Sequence, residues 1–313
     1  MKLNALAAFG ISGRHRVVIE DDEDPAFLEW LDRLSLDLKA EWNDVIDINS
    51  RLEANHPSLT QINVINGAKS DWSQKIPNLT IDEALNVCSR SFRILVENSR
   101  YDRAFLINIA RNDQKDALKF LEENGFIEFQ NGGGINEILE WIEDNIKSKK
   151  YWGRQYWVMF DGDARYPKEP SKVANELRSL LISLGVPNHR LERRSIENYI
   201  PTETLRHWTI KGARGNRRAR ENILRYYTKG LTEEQRYYYN LKKGFVGDTP
   251  DASKAKELYK DLDPVALNHL RKGFGSRISA YFREELINET YVIKDDIDAE
   301  IWPAIDNLLA LVR

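Results

Sequence analysis

The chain of 313 residues has a single cysteine, Cys88, and only five scattered histidines. One thiol excludes an internal disulfide framework, and no Cys/His spacing of the kind that holds zinc is present. Nowhere do eighteen apolar residues run together, so no membrane segment is expected. The apolar stretch near the N-terminus is too short for a secretory leader, which points to a cytoplasmic protein. An excess of one charge is lacking too: 46 Lys and Arg stand against 49 Asp and Glu, a net of −3. Bulk charge therefore does not announce a nucleic-acid binder, and any such role must rest on local clusters. Missing as well is G-x-x-x-x-G-K-[ST], which argues against a self-contained P-loop ATPase.

What is present begins with a hydrophobic content of 42% and eight Trp, enough for a folded core in a chain long enough for two units. The most informative stretch is Tyr156–Phe160, YWVMF, which stops abruptly at Asp161-Gly162-Asp163. A run without polar alternation suits a strand covered on both faces, as in a parallel sheet with helices packed over it. Ligands of such sheets bind at the carboxyl ends of strands, and Gly162 lets the backbone bend so that both carboxylates can turn toward one point. Two carboxylates held close repel unless a cation sits between them, and hard oxygen ligands favour Mg²⁺ or Mn²⁺. The same residues also read as a solvated acidic turn.

Residues 14–34 read as a β-branched strand, an acidic turn from Glu20 to Asp24, and a helix opened by Pro25. Glu20 and Asp24 are either metal ligands or a solvated charge cluster. A second strand is expected near residue 61, then a helix over 81–91 capped by Thr80. Residues 92–110 repeat the first logic: a strand ending at Glu97, a polar turn, a helix. A helix over 115–124 and a strand over 126–129 follow, the strand stopping at Asn131-Gly132-Gly133-Gly134 before an amphipathic helix over 135–146. After the central strand come a helix over 170–184 and a strand-like stretch, 189–200, carrying Glu197. This alternation predicts an α/β fold with a mostly parallel, Rossmann-like sheet flanked by helices.

Beyond residue 201 a mainly helical extension is expected, giving regions 1–90, 91–201 and 202–313. Arg206, Lys211, Arg214, Arg217, Arg218 and Arg220 lie there among Trp208, Tyr226 and Tyr227. Such a mix can track a strand, charges on phosphates and rings on bases, or can be an exposed charged helix packed through its aromatics. Two stretches, 236–247 and 270–282, set a lysine beside a glycine turn. Residues 295–313 read as an apolar-rich helix that closes the core or makes dimer contacts.

Glu97 at a strand end, the turn at 132–134, Asp161-Gly162-Asp163 and the phrase RRSIENYIP at 193–201 occur in that order. In this they resemble a Toprim domain of the OLD-family nuclease type, over about a third of the chain. The resemblance is to the stand-alone nuclease subunits of bacterial anti-phage systems, such as the PARIS effector or the retron-linked Toprim proteins. It implies a Mg²⁺- or Mn²⁺-dependent nuclease with Glu97, Asp161 and Asp163 at the metal and Glu197 as a supporting ligand. The family often has an acid four residues after its glutamate; here Tyr101 fills that slot and Asp102 follows. Glu20 and Asp24 have the family's spacing and keep a rival register open. The family's late lysine is Lys243 or Lys272. DNA or RNA, with tRNA included by analogy, is the implied substrate, and a separate ATPase subunit and a second copy of the chain are the implied partners. A catalytically silent binding module, a topoisomerase- or primase-like enzyme and a small-nucleotide phosphohydrolase are the competing readings.

Overall fold

A computed structural model describes residues 2–13, 15–53, 61–146, 150–211, 216–247, 257–284 and 286–312. The chain divides into two compact units, residues 1–91 with 310–313, and residues 92–309.

In the first unit, helices α1 (Lys2–Ile11), α2 (Pro25–Asp32) and α3 (Leu36–Glu53) enclose Ala7, Leu31, Trp42 and Val45. Strands β1 (Asn63–Ile65) and β2 (Asn78–Thr80) pair in parallel, and α4 (Ile81–Cys88) follows with Thr80 accepting the Glu83 N–H. Residues 15–19 form no strand, contrary to the β-branched pattern. Val17 and Ile19 instead pack against the helical core. β-propensity reports a side chain's fit to a half-buried surface, and a helix surface can supply one. The apparent duplication therefore has no counterpart. Asp24 accepts the Ala26 N–H at 2.7 Å as the cap of α2, and Glu20 is exposed, so the rival register lacks its strand.

The second unit is built on four parallel strands in the order β4-β3-β5-β6: β3 (Phe92–Val96), β4 (Ile127–Asn131), β5 (Tyr156–Phe160) and β6 (Asn188–Arg190). From β3 the chain runs through α5 (Ser99–Ile109) and α6 (Asn112–Glu123) to β4. It then passes through α7 (Ile135–Asn145) to β5 and through α8 (Lys172–Ser183) to β6. No β5 residue is more than 2% exposed. Burial of each such apolar side chain contributes about 1.5–3 kcal/mol, which is why an unalternating run becomes the central strand. One face packs on Ile138, Ile142, Leu177 and Leu181 of α7 and α8.

The connections leaving β3 and β5 diverge to opposite ends of the sheet. Open parallel sheets bind ligands at the carboxyl ends of two such strands, the topological switch point. Glu97 and Asp161 are the first residues past β3 and β5, so the topology places both at this switch point.

After β6 the sequence suggests strand as far as residue 200, but the strand has three residues and Glu197 lies on a 3-10 helix, Ile196–Tyr199. Arg193 explains the break. Its guanidinium donates to the Asn198, Asp295 and Asp296 carbonyls and stacks between Tyr199 and Tyr237 at 4.8 and 4.1 Å. These demands fold the segment back on itself instead of along a neighbouring strand. Helices α9 (Thr202–Ile210), α10 (Arg217–Gly230), α11 (Glu233–Tyr238), α12 (Pro264–His269), α13 (Glu289–Lys294) and α14 (Asp298–Val312) follow. Up to residue 309 they belong to the same unit as the sheet. Asn198 stitches them to it, donating to the Arg236 and Tyr239 carbonyls at 2.8 and 2.9 Å.

Candidate active site

The Asp161 N–H donates to Glu97 Oε1 at 2.8 Å, joining the ends of β3 and β5 directly. Asp161 Oδ1 in turn accepts the Ile196 N–H at 3.0 Å, which brings the 3-10 turn to the carboxyl end of β5. α5 begins at Ser99, with Asn98 as its cap, so Asp102 sits in its first turn and reaches back to accept the Asn98 N–H at 2.8 Å. Asp102 is only 6% exposed, and its charge acts on Glu97. The residue one place beyond the family's slot is thus the one that the helix start turns inward. Glu197 completes the group at 1% exposure. Its Oε2 accepts from Ser195 Oγ at 2.7 Å, while Oε1 accepts from Ser279 Oγ at 2.6 Å and Lys242 Nζ at 2.9 Å.

Burial pushes the Glu97 carboxyl up to about 7, with Asp102 and Asp163 adding to the rise while the Asp161 N–H and Lys242 oppose it. Asp102 is likewise pushed up to about 7, first by burial and then by Glu197, against the Asn98 N–H and Lys242. Asp161 rises well above the usual carboxylate range through burial and the charges of Glu97, Glu197, Asp102 and Asp163. Part of the Asp161 residue surface remains open although its carboxyl is enclosed. Desolvation weakens the hold of Lys242 on its proton, but Glu197, Asp161 and Asp102 outweigh it and hold that proton more tightly than usual.

Asp163 stands apart. It is exposed, in the left-handed region at φ 47°, with its N–H donating to the Arg194 carbonyl at 2.9 Å. Gly162 is required for this bend, since a Cβ there would lie 2.9 Å from the Leu191 carbonyl oxygen.

Both lysines expected from the sequence, Lys243 and Lys272, are exposed, and the neighbour Lys242 takes the position at the site. The two Lys-Gly turns lie back to back: a Cβ on Gly244 would meet the Gly273 nitrogen at 2.4 Å. Phe274 and Gly275 N–H groups donate to the Leu241 and Lys242 carbonyls at 2.7 and 3.1 Å. The glycines allow backbone contact, and the lysine before each one projects outward. Ser195, Ser279 and Lys242 carry no sequence signal beyond adjacency to motifs that were visible, because only the clasp and the 3-10 turns bring them together.

The basic cluster is largely engaged with its own chain. Arg206 pairs with Glu203 at 2.7 Å, Lys211 with Glu284, and Arg217 with Glu221 at 2.8 Å. Arg220 donates to the Trp208 carbonyl at 2.7 Å and lies over its ring. Arg218 is exposed on α10, and Arg214 lies outside the described residues. Trp208 and Tyr227 pack on Phe274, so the aromatics serve the helical core.

The donor set consists of hard carboxylate oxygens short of positive charge, the chemistry that suits Mg²⁺ or Mn²⁺. Among the described residues no group of three or more acidic, histidine or cysteine side chains is placed to hold a metal ion, so the fit is one of donor chemistry alone. Nor is any described helix long and apolar enough to cross a membrane. No protein-family model matches the chain, and neither a curated protein nor a solved structure matches it.

Proposed function

We propose that the chain is a Toprim-like, metal-dependent nuclease that hydrolyses phosphodiester bonds in nucleic acid. The observation that carries the reading is the joining of Glu97 to Asp161 across the switch point of a parallel sheet, with Asp102 beside them. Three neighbouring acids whose proton affinity stays raised although Lys242 opposes the rise carry more negative charge than one ammonium offsets, and a divalent cation would supply the remainder.

Glu97, Asp161 and Asp102 are the residues that would hold Mg²⁺ or Mn²⁺, with Asp163 at the exposed rim. When bound, the ion supplies Lewis-acid polarisation of the phosphate and acidification of water. Lys242 offers a fixed positive charge to the phosphoryl oxygens as negative charge grows on them. Arg218 and the outer face of α10 supply the phosphate contact left by the internal pairing of the basic cluster. By resemblance, the enzyme is an anti-phage effector that acts on DNA or RNA with a separate ATPase subunit and as a homodimer.

The test is incubation of the purified chain with plasmid, single-stranded DNA, total cellular RNA and mononucleotides in Mg²⁺, Mn²⁺ or EDTA, beside Glu97→Gln and Asp161→Asn. Metal-dependent chain cleavage that falls at least about 100-fold in both variants is expected. Phosphate release from mononucleotides alone would move the assignment to a small-nucleotide phosphohydrolase, and equal cleavage by wild type and variants would refute the site.

A further inference from the structure

The four acids of the site fall into two kinds, and of them Asp102 and Glu197 are buried. Glu97, Asp161 and Asp102 accept from backbone N–H groups, Glu97 Oε1 from Asp161, Asp161 Oδ1 from Ile196 and Asp102 Oδ2 from Asn98. Glu197 accepts from two hydroxyls and an ammonium, with both oxygens engaged from within the fold. A carboxylate offers about four lone-pair positions, and three of Glu197's are taken. The ammonium is itself fixed. The clasp between the two glycine turns holds the Lys242 backbone, and Ser279 follows four residues after Gly275, on the 3-10 helix Ile278–Arg283. Lys242 also acts on Glu97, Asp102 and Asp161, which makes it a shared counter-charge for the whole group.

We propose that Lys242 is the built-in cation of the site, with Glu197 as its positioning residue, so that Glu197 does not ligate metal and the site takes one divalent ion. The proposal rests on the metal-dependent reading above and deepens it. Glu197 is the buried member of the pair and would be left uncompensated without its cation, so a second divalent ion reaches Glu197 only if Lys242 leaves. Lys242 would then supply one share of the charge that neutralises the phosphate, and a divalent ion held by Glu97, Asp161 and Asp102 would supply the other.

Mn²⁺ titration of the full chain, with free Mn²⁺ followed by electron paramagnetic resonance, tests this. One Mn²⁺ per wild-type chain is expected. Glu197→Gln, which keeps the shape and an acceptor for the serines, should bind one ion with an affinity within about threefold of wild type. Asp161→Asn should weaken binding by about tenfold or more, as loss of a site residue does. Lys242→Met frees Glu197 and should add a second Mn²⁺, and Lys242→Met/Glu197→Gln should return to one. Two ions in the wild type, or a Glu197→Gln loss as large as that of Asp161→Asn, would overturn the proposal and leave the nuclease reading intact. A wild type that binds no Mn²⁺ would overturn both. If Lys242→Met does not fold by circular dichroism, the contrast between Glu197→Gln and Asp161→Asn decides alone.

Discussion

Replacing Asp102 by Asn should make the metal-free protein more stable above neutral pH. Asp102 is 6% exposed and its carboxyl is pushed from an ordinary 3.8 up to about 7, chiefly by burial. A group whose proton affinity rises on folding favours the folded chain while protonated and opposes it once ionised. Stability from this source is therefore full below about pH 4 and is lost as the pH climbs toward 7. That rise corresponds to about 4 kcal/mol at roughly 1.4 kcal/mol per tenfold. Structural relaxation and water entry halve it, leaving about 2 kcal/mol in favour of the variant at pH 8. Asn keeps an oxygen to accept the Asn98 N–H, so the start of α5 is preserved. Urea unfolding in EDTA at pH 8 and pH 5 measures the difference, and the gain at pH 5 should be less than half that at pH 8. A loss of stability at pH 8, or the same gain at both pH values, would show that the carboxyl is not held short of counter-charge.

Metal should act in the same window. Mg²⁺ is expected to raise the melting temperature more at pH 8 than at pH 5, because Glu97, Asp102 and Asp161 hold protons at the lower pH and must release them to bind. A shift of equal size at both would refute the assignment of those acids to the ion. Gly162→Ala, which drives a Cβ against the Leu191 carbonyl oxygen, should cost about 1–3 kcal/mol and weaken Mn²⁺ binding, as chemical unfolding and titration would report. Arg193→Met removes three carbonyl contacts and the charge between two tyrosine rings, and should cost about 3–5 kcal/mol. An Arg193→Met protein that melts like wild type would deny the clamp its role.

Local patterns are reliable where one physical cause dominates. Tyr156–Phe160 became the central strand because a run with no polar face has to be covered on both sides, and Thr80 and Asp24 cap their helices through contacts only two or three residues long. Val17 and Ile19 show the limit, since β-branched residues serve a helix surface as well as a sheet. The stretch 189–200 failed for a related reason. Its length suits a strand, but Arg193 is satisfied only by carbonyls that lie about five and about a hundred residues away.

The sequence by itself determined the alternation of strands and helices and the placing of acids at strand ends, because hydrophobic periodicity and turn chemistry are written over a few residues. That pattern was enough to place Glu97, Asp161 and Asp163 at or just past strand ends. Only the tertiary structure decided which groups come together there. Lys242 in place of Lys243 or Lys272, Asp102 turned inward, Asp163 turned out, and Ser195 with Ser279 on Glu197 depend on where α5 begins and on two glycine turns meeting back to back. Such contacts join positions up to 82 residues apart, and no local propensity encodes them.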